Sequence, residues 1–81
     1  MNENETYQTS DFLEIAYLIT NDSRILGARR EGNSDRVLFT FANWVSCEKQ
    51  INSLLLGDDN VSASRFLGAI KKARKIIHSV P

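Results

Sequence analysis

The side chains that could do chemistry in this 81-residue chain are few and lie far apart in sequence. His78 is the one histidine and Cys47 the one cysteine, so a nucleophile and base could pair only by tertiary contact between them. Cys47 falls on the apolar stripe of a predicted helix, which favours a buried thiol over a reactive thiolate. Zinc needs about four nitrogen or sulfur ligands, and these two residues are too few. The sequence therefore predicts a non-catalytic protein without a metal site.

One oxygen-rich segment, DDNVSASRFLGA, resembles a calcium-binding loop that starts at Asp58 and places Asn60 and Ser62 at ligand positions. Ala63 stands where such a loop needs glycine for its sharp turn, and Ala69 stands where the bidentate glutamate belongs. The pattern therefore fails as a calcium site. The glycines are scattered and form no phosphate-binding loop. We predict no cofactor and no small-molecule substrate.

The charges are balanced overall but unevenly distributed. Ten acids offset ten bases, yet residues 1–22 contain acids and no base, while residues 62–81 contain bases and no acid. This polarity indicates either two ends of one fold that attract each other or a basic end that binds a partner. The first interpretation is favoured because opposed surface charge is common and adds little stability.

The chain has the features of a cytoplasmic protein. A single cysteine allows no internal disulfide, so the fold does not require an oxidising compartment. The first residues, MNENETYQTSD, are polar and acidic and lack the basic start and apolar core of a signal peptide. The longest apolar run, IAYLI at 15–19, is too short to span a bilayer. We expect no membrane association.

The first half of the chain predicts a helix followed by a β-hairpin. Residues 1–8 are interpreted as a disordered lead, and residues 9–81 as a single small domain. Asp11 and Glu14 form a helix N-cap with its N3 partner, and the apolar run that follows through Thr20 predicts a helix buried on several sides. In VLFTF, strand periodicity places Val37, Phe39 and Phe41 on one face and Leu38 and Thr40 on the other. Residues 24–30 and 35–42 are therefore predicted as a hairpin joined by the turn formers EGNSD.

The second half predicts two more helices. Asn43 is a good N-cap for a helix that ends at Gly57, and Ser62 or Ser64 can cap a final helix that runs to about Ser79. The apolar stripe of the middle helix contains Trp44, Cys47, Ile51, Leu54 and Leu55. The predicted fold is α+β, in the order helix, antiparallel hairpin, helix, helix, with the helices packed on one face of a small sheet. Val61 is a candidate for a short third strand at an edge.

The final helix is amphipathic with a basic outer face. Its apolar residues fill an arc of about 120°: Phe66, Ala69, Ile70, Ala73, Ile76, Ile77 and Val80. This arc predicts a core helix in which Phe66 is buried. One phenylalanine and two alanines are too slight an apolar face for a helix that binds a membrane surface.

The basic residues define a candidate partner surface on the hairpin and the final helix: Arg24, Arg29, Arg30, Arg36, Lys71, Lys72, Arg74 and Lys75. The favoured interpretation is a small regulatory module that binds a protein partner or self-associates. The alternative is a nucleic-acid-binding module. Zero net charge and the lack of aromatic residues on the predicted exposed faces argue against this alternative.

At the final helix the sequence resembles a known family. The run Val61, Ala63, Arg65, Phe66, Leu67, Ala69, Ile70, Arg74 and Ile77 is similar to a V-D-A-R-R-F-L-x-A-L-x-x-L-K-x-x-I ending. This ending marks a small domain family of unknown function from bacterial and phage genomes, and the likeness extends over residues 9–78. Ser62 replaces the aspartate of the ending, Ser64 an arginine and Arg74 a lysine. The resemblance implies a compact cytoplasmic module from a bacterial or mobile-element setting, without catalytic residues.

Overall fold

The computed structural model describes residues 5–57 and 60–81, which form a three-stranded antiparallel sheet and three helices. The strands are β1 (Tyr7–Thr9), β2 (Ile25–Arg30) and β3 (Val37–Phe41). The helices are α1 (Phe12–Thr20), α2 (Trp44–Leu56) and α3 (Ala63–Ser79). The predicted α+β class and the order of the helices and the hairpin are confirmed.

The middle strand, β3, carries the centre of the core. The sheet order is β1-β3-β2, so β3 pairs with a strand on each side. Val37, Phe39 and Phe41 are buried on the helix side of the sheet, and the two phenylalanine rings stack with centroids 6.2 Å apart. Leu38 and Thr40 lie on the other face and are partly exposed. The alternation predicted from VLFTF is therefore confirmed.

The predicted hairpin between β2 and β3 is also confirmed, with one irregularity. Glu31 N–H donates to the Arg36 carbonyl at 3.0 Å and closes the turn. Ile25 pairs with Phe41 but Gly27 pairs with Thr40, so Leu26 is an extra residue in β2. Such a β-bulge bends the edge strand and increases its twist. Leu26 remains 48% exposed.

The third strand is β1, which corrects two predictions. The prediction of a disordered lead is wrong for residues 7 and 8, because Tyr7 pairs with Phe41 and Gln8 with Thr40 of β3. Residues 1–4 of that lead lie outside the described residues. Val61, the candidate for a third strand, is not in a strand: it precedes the cap of α3 and is exposed.

The ends of the helices agree with their predicted capping residues. The Asp11 carboxylate accepts a hydrogen bond from Glu14 N–H, and the Ser62 hydroxyl accepts one from Arg65 N–H, at 3.1 and 3.4 Å. Asn43 caps α2 by accepting from the Ser46 N–H at 3.1 Å. These bonds satisfy amide groups that a helix N-terminus leaves unpaired.

Helix α1 packs against both of the other helices. Ile15 and Leu18 are buried in the core cluster that also contains the inward residues of β3. Ala69 and Ala73 are the buried residues of α3, and their small side chains allow the axes of α1 and α3 to approach closely. The N-terminal turn of α1 is exposed, at 37% for Phe12 and 55% for Leu13, so burial on several sides holds only for its later turns.

Four apolar residues of the predicted stripes are neither buried nor packed against the core cluster: Trp44, Leu55, Phe66 and Ile70. Leu54 packs against the core cluster, whereas the next residue of α2, Leu55, points to solvent and is 76% exposed. Phe66 is only partly buried and does not belong to the core cluster, because α3 is buried at its two alanines instead.

The position of the core predicts unequal losses of stability. Phe39→Ala should lower the free energy of unfolding by about 3–5 kcal/mol, because it opens a cavity in the fully buried centre of the sheet. Phe66→Ala should cost less than about 2 kcal/mol, since Phe66 is partly exposed. Urea denaturation followed by circular dichroism measures both, with Leu67→Ala as an exposed control expected within about 0.5 kcal/mol of wild type. Equal losses at Phe39 and Phe66 would contradict this position of the core.

The hydrogen bond that attaches β1 to α1 predicts that the free energy of unfolding depends on pH. Tyr7 donates a hydrogen bond from its hydroxyl to the Glu14 carboxylate at 2.9 Å. Burial and this hydrogen bond raise the pKa of Tyr7 to about 12. The folded pKa lies above the unfolded value of about 10, so the stabilisation is complete below pH 10 and is lost as the pH rises toward 12.

We therefore expect the Tyr7→Phe variant to be less stable than wild type by about 1 kcal/mol at neutral pH, through loss of the hydrogen bond. This difference should shrink above about pH 10, where only the wild type has a Tyr7 hydroxyl to ionise. Urea denaturation of both proteins across this range measures this difference. The chain also contains Tyr17, so the titration of Tyr7 is obtained from the difference in phenolate absorbance between wild type and Tyr7→Phe. An ordinary midpoint near pH 10 for Tyr7 would show that β1 is not docked on α1.

Candidate partner-binding surface

A groove of about 530 Å³ separates the edge of β2 from the C-terminal half of α3. One wall is the β2 segment 25–28. The other wall is formed by Lys75, Ile76, Ser79, Val80 and Pro81. Most of these side chains are apolar. We call this cavity the β2–α3 groove.

Two further cavities continue the groove along α3. The first, of about 410 Å³, shares Ile25 and Ile76 with the β2–α3 groove. The second, of about 250 Å³, extends to Arg65 near the start of α3. These two cavities share Ile19, Asp22 and Lys72. A row of adjoining cavities therefore follows one side of α3 from its first turn to Pro81.

The charged residues that line this row are mostly basic. Arg24, Lys72 and Lys75 line it together with Arg65, and the acid among the lining residues is Asp22. Asp22 forms an ion pair with Arg65 at 3.1 Å. Both side chains of this pair are largely exposed, so the pair adds little stability. Asp22 also lines the cavities of Arg24 and Lys72, but its carboxylate is paired with Arg65. Among the described residues, Arg24, Lys72 and Lys75 form no ion pair of their own.

Arg30, a predicted surface residue, has a structural role at the end of the groove. Its guanidinium donates to the backbone oxygens of Val80, Pro81 and Asp35 at 3.1, 3.3 and 3.2 Å. These bonds tie the end of α3 to the hairpin. An arginine that binds the backbone in this way has fewer donors available for a partner.

The other predicted basic residues lie away from the groove. Arg29 pairs with Leu38 and so lies on the sheet face opposite the helices. Arg74 lies over the ring of Phe12, 6.0 Å from its centroid, on the α1 side of α3. Arg36 at the hairpin turn and Lys71 on α3 are exposed. The eight predicted residues do not form one continuous patch, and Arg24, Lys72 and Lys75 are the ones that line the row of cavities.

The apolar walls of the groove were not identified from the sequence. Ile76 and Val80 were interpreted as core residues only, although each is partly exposed and lines the groove. Leu26 lies in the predicted hairpin, but the bulge that leaves it exposed depends on pairing with β3. Arg65 belongs to the basic end of the chain and was not included in the candidate surface. A helical projection shows which residues share a face of α3, but not which element lies opposite them.

The candidate catalytic residues Cys47 and His78 lie in different surroundings. Cys47 is fully buried and donates a hydrogen bond to the Ala42 carbonyl at 3.4 Å. Burial raises the pKa of the Cys47 thiol. His78 is exposed on α3. Among residues 5–57 and 60–81, the structure places no group of three or more His, Cys, Asp or Glu side chains together as a metal site would require. The start of the calcium-like segment, Asp58, lies outside the described residues.

Comparisons with protein-family models, with curated proteins and with solved structures give no match to this chain. The resemblance of the final helix to a bacterial and phage family therefore stays a prediction. Within the part of the chain that the structure describes, no helix has the length and apolar character needed to cross a membrane.

Proposed function

We propose that this chain is a non-catalytic module that binds a protein partner through the β2–α3 groove. The observation that carries this proposal is the combination of apolar walls and an open strand edge in one cavity. Ile25 and Leu26 on β2 and Ile76 and Val80 on α3 supply apolar surface that water contacts in the free protein. Apolar surface of this kind, bordered by polar and charged residues, is typical of interaction sites.

A non-catalytic role is supported by the surroundings of Cys47. The nucleophilic form of a cysteine is the thiolate, and a raised pKa keeps the thiol protonated at neutral pH. The burial of Cys47 also keeps substrates from the sulfur atom. Because α3 resembles a bacterial and phage family, we propose the cytoplasm of a bacterium as the place where the module acts.

Nucleic-acid binding is the second candidate, and the charges that line the row of cavities favour it. Arg24, Lys72 and Lys75 could contact neighbouring phosphates. Two observations weigh against it. The open face of the sheet presents Gln8, Leu38 and Thr40, where sheets that bind single strands carry aromatic residues for stacking. The chain also has zero net charge.

Photo-crosslinking in cells of the native host tests the proposal. A benzophenone amino acid replaces Leu26 in the groove in one variant, and replaces Leu67 on α3 in the matched control. Both leucines are exposed, at 48% and 57%, but Leu67 does not line the row of cavities. We expect protease-sensitive adducts from the Leu26 position and far fewer from the Leu67 position.

The other possible adducts distinguish between self-association, nucleic-acid binding and failure of the proposal. An adduct of two copies of the chain identifies self-association as the protein interaction. Adducts that nuclease removes would favour nucleic-acid binding. Oligonucleotide binding would favour it as well, if a plot of log affinity against log salt concentration falls with a slope of about 0.9 per phosphate contacted. Equal adducts from both positions, or none from Leu26, would contradict the proposal.

A further inference from the structure

We propose that β2 accepts an acidic, extended segment of the partner protein as a fourth strand along its free edge. The side chains on one face of this added strand would enter the β2–α3 groove. This inference rests on the proposed function and deepens it, because it names the chemistry and the conformation of the segment that binds.

The register of the hairpin leaves hydrogen-bonding groups unpaired along β2. The Glu31 N–H bonds to the Arg36 carbonyl, and antiparallel pairs alternate between hydrogen-bonded and non-hydrogen-bonded positions. Arg30 and Ala28 therefore occupy non-hydrogen-bonded positions relative to β3. Their N–H and C=O groups point away from the sheet at its edge. An edge of this kind is a template for another strand.

The groove lies where the side chains of an added strand would point. A fourth strand would lie about 4.8 Å from β2, beside the open cavity. Alternate side chains of that strand would face the helix layer, where Ile76 and Val80 form the far wall. The exposed side chain of Leu26 adds apolar surface to the near wall. The backbone edge and the apolar wall thus lie in the same cavity, as binding by strand addition requires.

The positive charge along the groove favours an acidic segment of the partner protein. Lys75 lines the groove, and Arg24 and Lys72 line the cavity next to it together with Asp22, whose carboxylate is paired with Arg65. The groove walls, segment 25–28 and the end of α3, contain no acid among the residues that line them. Carboxylates on the incoming strand would be attracted to these cations, which raises the association rate and fixes the register of pairing.

The same charges argue against a second copy of this chain as the occupant. Pairing of β2 with β2 of another copy would place Arg29 and Arg30 of each copy along one shared edge. Like charges near one another across antiparallel strands are destabilising. Basic residues and a bulge on an edge strand are also features that prevent pairing between identical edges. A heterologous acidic strand meets no such repulsion.

The test uses the full chain and a short acetylated peptide as the probe. On one face of this peptide valine and glutamate take turns, so that both kinds of side chain can enter the groove, and the residues of the other face are threonine. Fluorescence anisotropy gives the affinity, and hydrogen exchange by NMR follows the amides of Ala28 and Arg30. At a peptide concentration about ten times its Kd, exchange of these two amides should slow about tenfold, because exchange then proceeds only from the free protein. A peptide methylated at alternate backbone nitrogens keeps the side chains but lacks the donors, and it should bind more weakly.

Two matched variants test the role of charge. Lys75→Glu should weaken binding of the glutamate peptide about fivefold and should strengthen binding of the same peptide with lysine in place of glutamate. Lys71→Glu makes the same change on α3 outside the lining residues of the cavities, and it should leave the affinity within about twofold of wild type.

Several results would overturn strand addition. These are absence of peptide binding, equal binding of the methylated peptide, and binding without protection of the Ala28 and Arg30 amides. Equal effects of Lys75→Glu and Lys71→Glu would show that net charge, not the groove, attracts the peptide. If any of these occurs while the Leu26 position still gives protein adducts, the proposed function stands and only strand addition is wrong. Loss of those adducts would overturn the proposed function as well.

Discussion

The burial of one face of β3 is the constraint on which the rest of the structure depends. β3 is the only described strand that is paired on both sides, and its three inward side chains are at most 4% exposed. A two-stranded hairpin alone is marginally stable, so this apolar face must be covered by helices. The short strand β1 completes the pairing of β3, and α1 follows it directly in the chain.

The way in which the helices cover β3 also explains why the β2–α3 groove exists. Helix α3 is packed closely against α1 at Ala69 and Ala73, which are the buried residues of that helix. Further along α3, Ile76 and Val80 are only partly buried, and the helix makes few contacts with β2. α3 is therefore held against α1 and the core, while the groove stays open between its C-terminal end and the edge of β2. The hydrogen bonds of Arg30 to the end of the chain fix this separation at its far end.

The parts of the fold that depend on local sequence could be predicted. The alternation of VLFTF, the turn formers before it and the capping residues Asp11, Asn43 and Ser62 act within a few positions of themselves. β1 was missed because three mostly polar residues become a strand only when β3 is beside them. The bulge at Leu26 has the same origin, since it is a mismatch between two strands and not a property of either one.

The candidate site was harder to predict from sequence than the fold, because the surroundings of its residues are set by tertiary contacts. The sequence shows that the four basic residues at 71–75 share the polar side of α3. It does not show that Lys75 faces β2, that Lys72 faces the segment between α1 and β2, or that Arg74 lies over Phe12. Arg30 and Arg24 looked equivalent in sequence, yet one binds backbone oxygens and the other lines a cavity. The function of a basic residue in this chain is set by the element that lies opposite it.

The central claim is that β3 is held on both sides while the outer edge of β2 is open. Hydrogen exchange of the free protein tests this most directly, because it reports the pairing of each amide separately. Leu38 and Thr40, whose amides bond toward β2 in this register, should exchange only through global unfolding. Ala28 and Arg30, which point outward, should exchange much faster under the same conditions. Protection of Ala28 and Arg30 at the level of Leu38 and Thr40 would contradict an open edge at β2 and with it the binding of a fourth strand there.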